Sequence, residues 1–274
     1  MSPVESTPPA AAEALGLELG HRRVSYGTDD AILYALAVGA RVTDLDLVFE
    51  RDLRVLPTFV LPQCLWASDE LGSRGFFSSA NALQAGQRLE VFEPLPKAGT
   101  VELDGRVSAV WDKGSAALYE IETSAPSFRA VTTIFAPERG GWGGERGPSA
   151  LSDPEGEPSA LGAVETSTEQ AVLYRLTGDK HLIHVDPEAA AAIGQPRPIL
   201  HGLCTLGFAV RELAALLGRH PCDLRGLDAR FAAPVLPGDR LEVRAWEPLE
   251  DGAIPFTVAT PRGLALRGGR VRFE

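Results

Sequence analysis

Positive charge is in short supply in this chain. Lys and Arg number 26 against 37 Asp and Glu, a formal net charge of −11. A generally acidic surface argues against nucleic acid as the main partner, although a local group of arginines can still hold a polyanionic ligand. Cysteine is scarcer. Cys64, Cys204 and Cys222 are odd in number and widely spaced, with no C-x-x-C pair. That argues against a disulfide framework or a zinc knuckle and for small apolar residues in a reducing compartment. Long apolar runs are missing too: none reaches the roughly 18–20 residues of a membrane span. The opening MSPVESTPPAAAEALG lacks the basic stretch and apolar core of a secretory signal, and the closing RVRFE carries no recognised address, so a cytoplasmic location is expected. What remains is ordinary for a globular chain, with 45% hydrophobic and 23% charged residues. A length of 274 residues suits one large domain or two of common size.

Residues 1–20, rich in Ala, Pro and Ser, are expected to form a disordered tail. From Thr28 an acidic first turn and the spacing of Ile32, Leu33, Leu36 and Ala37 predict a helix ending at Gly39. Residues 45–50 (LDLVFE) alternate like a strand, and 57–71 are apolar but interrupted by two prolines. Strands are expected at 88–92, 100–111, 117–123 and 130–135, with a hairpin turn at Asp112-Lys113-Gly114. A Gly/Pro-rich stretch over 137–162 then reads as a linker. Four more strands are expected at 224–231, 240–246, 254–259 and 269–273.

The halves on either side of that linker echo one another. Phe92–Leu103 (FEPLPKAGTVEL) resembles Phe231–Val243 (FAAPVLPGDRLEV), and Tyr34–Gly39 (YALAVG) resembles Tyr174–Gly178 (YRLTG), at an offset of about 140. A duplicated module of one long helix and an antiparallel sheet accounts for the echo, giving an α+β chain with modules over 21–136 and 163–274. Past Gly39 the first half reads ARVTDLDLVFE, without histidine; the second reads DKHLIHVDPEAA. Three of the five histidines fall between His181 and His201. Of the two matching segments only the second carries an acid/base pair, Asp179 and His184, and His201-Gly202 opens the apolar stretch 203–217, a predicted buried helix in which Gly207 permits close packing against the sheet.

Two segments carry a resemblance to a known family. Tyr174–Ala190 (YRLTGDKHLIHVDPEAA) and Pro198–Gly207 (PILHGLCTLG) are similar to the MaoC-like, hydratase-2 motif. Tyr34–Gly39, Arg51–Phe59 and Trp142–Gly147 resemble the degenerate N-terminal repeat of the long-chain members. The resemblance implies a double hotdog fold, two long helices each wrapped by a curved antiparallel sheet, with the first module serving the acyl chain. It implies R-specific hydration of trans-2-enoyl-coenzyme A thioesters, or the reverse dehydration, with no cofactor and the acyl-coenzyme A as substrate. It also implies that Gly202 is the oxyanion donor. Two positions depart from the family pattern: His181 stands where Asn is usual and Leu182 where Pro is usual.

The residues make sense of that reaction. Hydration needs a base for water, an acid for the α carbon and a donor for the thioester oxygen. Asp179 and His184 supply the first two; the free N–H of Gly202, at a helix N-terminus, supplies the third. Asp186-Pro187 reads as a helix cap followed by Pro at the first helical position, and His201 as scaffold. His181 and Lys180 are candidate substrate contacts, and Arg197, Arg129, Arg139 and Arg146 candidate phosphate contacts. Asp179, His181, His184 and Asp186 are conceivable metal ligands, but they lack zinc-site spacing and no metal is expected. A dehydratase acting on carrier-protein thioesters and a non-catalytic acyl-binding protein stay open as alternatives. One chain with two modules reproduces a single-hotdog dimer, and a homodimer of the whole is compatible with it.

Overall fold

The computed structural model describes residues 9–78 and 80–274. Among these residues ten strands form one antiparallel sheet: β1 (Glu18–Tyr26), β2 (Leu83–Val91), β3 (Gly99–Asp112), β4 (Ala116–Ala125), β5 (Phe128–Pro137), β6 (Ala160–Glu165), β7 (Leu224–Phe231), β8 (Arg240–Ala245), β9 (Ile254–Thr260) and β10 (Gly263–Phe273). Their order is β1-β3-β4-β5-β2-β7-β10-β9-β8-β6. Read inward from each edge, the two halves have the same order, which is the signature of the duplicated module. They meet where β2 pairs with β7, and Arg88 faces Asp228 at the centre of that ladder, 140 positions along the chain. The register of the central ladder thus repeats the offset seen in the sequence.

Among the described residues six α-helices lie with the sheet: α1 (Thr28–Ala37), α2 (Leu45–Val48), α3 (Val60–Ser73), α4 (Gln170–Tyr174), α5 (Pro187–Ala192) and α6 (Gly202–Leu216). The long helix α3 packs on strands of the first half and α6 on strands of the second. This is the double hotdog arrangement expected. Along α6 every residue from Leu203 to Val210 is buried, as are Leu213 and Ala214. A single apolar core takes in both modules, and a smaller one around Leu71, Phe76, Phe77 and Tyr119 belongs to the first.

Four expectations need correction. The tail is not loose from residue 11 on: Ala11–Ala14 forms a 3₁₀ turn with Ala11 and Ala14 buried, and β1 begins at Glu18. Residues 1–8 of that expected tail lie outside the described residues. Residues 45–50 contain no strand; Leu45–Val48 is helix, with Leu47 its one buried side chain. Alternation there lacks a partner strand to make it β. The two prolines of 57–71 do not break the helix. Pro57 opens a 3₁₀ turn and Pro62 sits in the first turn of α3, where a backbone N–H has no partner to lose. Gly207 packs against the first module's helix rather than the sheet: a Cβ there would lie 2.5 Å from Cγ1 of Val38.

The stretch over 137–162 is strapped down. Its first residue ends β5 and its last three belong to β6. The Asp112 carboxylate accepts from the N–H groups of Gly141, Gly143 and Gly144 as well as Gly114. Those donors, Gly141 first, hold its pKa down to about 2. Further along, Asp153 accepts from Arg267 and from the N–H of Gly268.

Between the modules, second-half side chains satisfy the free carbonyls at the end of α1. Gln170 and Cys204 both donate to the Ala37 carbonyl, at 2.7 and 3.3 Å, and Arg211 donates to that of Val38 at 3.2 Å. Arg211 also pairs with Asp44 at 2.7 Å. A helix end buried without such partners would cost several unmet hydrogen bonds. The loop carrying Asp179 and His184 starts beside this junction.

Candidate active site

Local backbone chemistry aims the acid/base pair. α4 runs into a 3₁₀ turn at Arg175–Thr177 and stops at Gly178, whose φ of 141° suits glycine. A Cβ at Gly178 would sit 3.4 Å from Pro62 and Gln63 of α3, so the loop presses against the first module. Gln63 reinforces the contact by donating to the Thr177 carbonyl at 2.7 Å. Asp179 follows, and its Oδ1 accepts from the His181 N–H at 3.1 Å. A second 3₁₀ turn, Leu182–His184, presents the histidine. Asp186 caps α5 through the N–H of Glu188, with Pro187 at the first helical position, as the spacing indicates.

His184 is held in one tautomer. Its Nδ1 lies 2.9 Å from the Ile199 carbonyl, which fixes the proton there and leaves the Nε2 lone pair free. The ring is buried, and that burial lowers its pKa, opposed by the nearby Asp179 carboxyl and the Ile199 carbonyl. The imidazole is therefore neutral at neutral pH. The side-chain donor atoms of Asp179, His184 and His201 all lie within 4.8 Å of one another. One bridging water spans such a gap between Asp179 and His184. A metal ion fits poorly: the rings of His184 and His201 are stacked, with centroids 3.6 Å apart and planes at 24°. Near-parallel rings cannot both point a lone pair at one ion ~2 Å away.

Two cavities share a wall at Asp179 and His184. The first, about 570 Å³, is bounded by Gln63, Trp66 and Asp69 of α3 and by Lys180 and His181. The second, about 630 Å³, is bounded by Ile199, Gly202, Thr205, Phe231, Val235 and Leu266. Gly202 is the first residue of α6, which no side chain caps, so its N–H has no partner within the helix. A Cβ on Gly202 would lie 2.9 Å from the Phe231 ring, so only glycine leaves that wall open.

The structure thus brings Asp179, His184 and Gly202 to one place, with His181 and Lys180 at the first cavity. His181 is exposed; its Nδ1 accepts from the Ile183 N–H at 3.4 Å and caps the turn bearing His184. The four candidate arginines are elsewhere, whereas Arg22 of β1 lines the first cavity. Arg197 lines neither cavity and donates to the Pro237 carbonyl at 3.4 Å. Arg129 pairs with Glu90, and Arg139 donates to the carbonyls of Phe76 and Pro9. Arg146 also lies outside both walls. Spacing in the sequence gives no sign of Gln63, Trp66 or Asp69, because the first module delivers them through tertiary packing. The Asp69 carboxyl has its pKa raised, first by desolvation and then by Asp179.

Comparison with known proteins identifies the family. A family profile described as "MFE-2 hydratase 2 N-terminal domain" matches residues 24–136, and one described as "MaoC like domain" matches residues 150–251. The chain is 37% identical over 252 residues to an enoyl-CoA hydratase of Mycobacterium tuberculosis, covering 85% of this chain and 88% of that one. It is 38% identical over 248 residues to the peroxisomal multifunctional enzyme type 2 of Drosophila melanogaster, covering 81% of this chain but only 41% of that longer protein. Among solved structures, a MaoC-like dehydratase from Phytophthora capsici superposes with a TM-score of 0.86 at 25% identity, over 97% of this chain and 98% of that one. The two profiles in tandem, and a relative matched over most of its length, establish that this chain belongs to the MaoC-like, hydratase-2 family.

Proposed function

We propose that the protein adds water across the double bond of trans-2-enoyl-coenzyme A thioesters to give (3R)-3-hydroxyacyl thioesters, and catalyses the reverse dehydration. The chain is a hydro-lyase of the enoyl-CoA hydratase 2 kind, as the names of its relatives support. The observation that carries the reading is the meeting of Asp179 and His184, on the wall that two cavities share, with Gly202, which bounds the second of them.

The geometry suits a stepwise or concerted syn addition. The thioester oxygen lies at the Gly202 N–H, in the second cavity, and the α and β carbons lie beside Asp179 and His184. Water held between the pair loses a proton to Nε2 of His184 as its oxygen bonds to the β carbon. The π electrons move toward the thioester oxygen, where the Gly202 N–H and the positive end of α6 meet the growing charge. The α carbon then takes the proton from the imidazolium, which returns His184 to its neutral form. Asp179 accepts the water's second hydrogen bond and fixes which face it attacks. The acyl tail continues into the first cavity, against α3 of the first module, with His181 and Lys180 at its wall. A cytoplasmic setting with thiols kept reduced, and a homodimer of the whole chain, complete the reading.

The test is conversion of crotonyl- to decenoyl-coenzyme A, followed by loss of enoyl-thioester absorbance and chiral analysis of the product. Turnover with the (3R) product is expected. Absence of turnover across that range, or an S product, contradicts the proposal. One relative, 36% identical over 79% of this chain and 80% of that one, bears the name 3-hydroxyacyl-thioester dehydratase. That name favours running the same assay from the hydroxyacyl side and on carrier-protein thioesters.

A further inference from the structure

Its position in the sequence gives His201 a scaffold role at the head of α6; its surroundings in the fold give it a more particular one. The ring is fully buried. One face lies against His184 with centroids 3.6 Å apart, and Tyr174 packs on it at 4.8 Å. Its Nε2 lies 3.3 Å from the backbone carbonyl of Asp179, to which it donates. One side chain therefore touches both members of the acid/base pair. Yet it lines neither cavity, so it meets no reacting atom.

The support behind it reaches the other module. Tyr174 meets Tyr34 at 6.0 Å, Tyr34 meets Phe59 at 5.7 Å, and Phe59 meets Tyr26 of β1 at 4.8 Å. A column of rings thus runs from His184 across the junction to the edge strand of the first half. Burial, and then His184, hold the His201 pKa down to about 2, so the ring adds no charge beneath the dyad.

We propose that His201 is a positioning residue for hydration: its ring fixes the plane of His184 while its Nε2–H holds the Asp179 backbone, so one side chain sets the geometry between the two catalytic groups. The proposal rests on the dyad reading above. It differs from a packing role because it predicts a loss in kcat without a matching loss of fold or of substrate affinity. The titratable and charged groups around His184 and His201 are Asp179, Lys180 and His181 on the His184 loop, Arg175 at the end of α4, and Arg22 and Asp69 across the first cavity; His201 itself stands at the N-cap of α6.

Two variants separate the contributions. His201→Phe keeps a ring of similar size and removes the donor; His201→Leu removes both. Misplacement of catalytic groups by about 1 Å costs on the order of 10²-fold. On that scale kcat is expected to fall about 10-fold in His201→Phe and about 100-fold in His201→Leu, with KM changed less than about 3-fold. The acid limb of kcat/KM stays in place for Phe and moves up toward 6.5 for Leu, as water reaches His184. Folded variants with wild-type kcat overturn the proposal, as does a loss of kcat that only tracks a falling melting temperature with both pH profiles unmoved. If neither variant folds, ¹⁵N-histidine NMR of the intact protein decides. A His201 ring that stays neutral through pH 4.5 with a slowly exchanging Nε2–H is expected, whereas titration near 6.5 overturns the proposal. Absence of wild-type turnover contradicts the hydratase reading instead, and the NMR measurement then judges the positioning role alone.

Discussion

The two modules are the same scaffold put to different uses. Strand order is identical, and the equivalent tyrosines Tyr34 and Tyr174 are both fully buried and face each other at the junction. Each tyrosine packs on the residue before its module's long helix: Tyr34 on Phe59, Tyr174 on His201. There the likeness stops. α3 begins at Val60 where α6 begins at Gly202, and the loop after Gly39 turns into α2 where the loop after Gly178 presents Asp179 and His184. The first module offers an apolar platform and a cavity wall; the second offers an uncapped helix N-terminus and a neutral imidazole. Duplicated architecture, then, does not imply duplicated chemistry: a few side chains in one loop and one helix mouth make the difference.

The comparison can be broken most forcefully at the dyad. His184→Gln is expected to lower turnover by about 10²–10⁴-fold, the usual contribution of a placed acid/base group, with circular dichroism unchanged. Changing Asp44, at the matching loop of the first module, should act on stability through Arg211 and leave the pH profile of turnover alone. The junction comes next. Gly207→Val drives a side chain into Val38 and Tyr34, and over-packing of this kind costs about 1–3 kcal/mol, read as a lower urea midpoint.

Acidification should separate the halves. The folded His201 pKa of about 2 lies well below the ordinary 6.5, so the unfolded chain binds the extra proton. Stability from this group is complete above about 6.5 and falls by roughly 1.4 kcal/mol per pH unit below it. The lowered pKa of His184 acts in the same direction. In the first module the lowered Asp112 pKa matters only between the ordinary 3.8 and about 2, where its stabilising contribution is lost as pH falls. Hydrogen exchange at pH 4.5 is therefore expected to show protection lost first over 170–205. The smallest effect belongs to the strap: Asp112→Ala should raise proteolytic nicking over 140–147 while kcat stays as in wild type, since Asp112 holds the strap and lines neither cavity.

Much of this was legible in the sequence. The strand Leu224–Phe231 stands where alternation places it, and the offset of about 140 reappears in the β2–β7 register. Asp179, His184 and Gly202 converge as their motif implies. What was not legible has physical reasons. β1 is an edge strand whose side chains are mostly exposed, so it shows no apolar alternation. Pro57 and Pro62 hide α3 because a proline in a first turn resembles one that breaks a helix. Ring stacking between His184 and His201 depends on two loops meeting in space, and no spacing along the chain encodes it.

The central claim is that one module alone performs the chemistry. Asp179→Asn tests it most directly, by steady-state hydration of an enoyl-coenzyme A thioester with thermal unfolding as a control. With the water no longer held and aimed by the carboxylate, the account predicts a fall in kcat of about 10²-fold at an unchanged melting temperature. A folded Asp179→Asn protein with the full wild-type rate would contradict it.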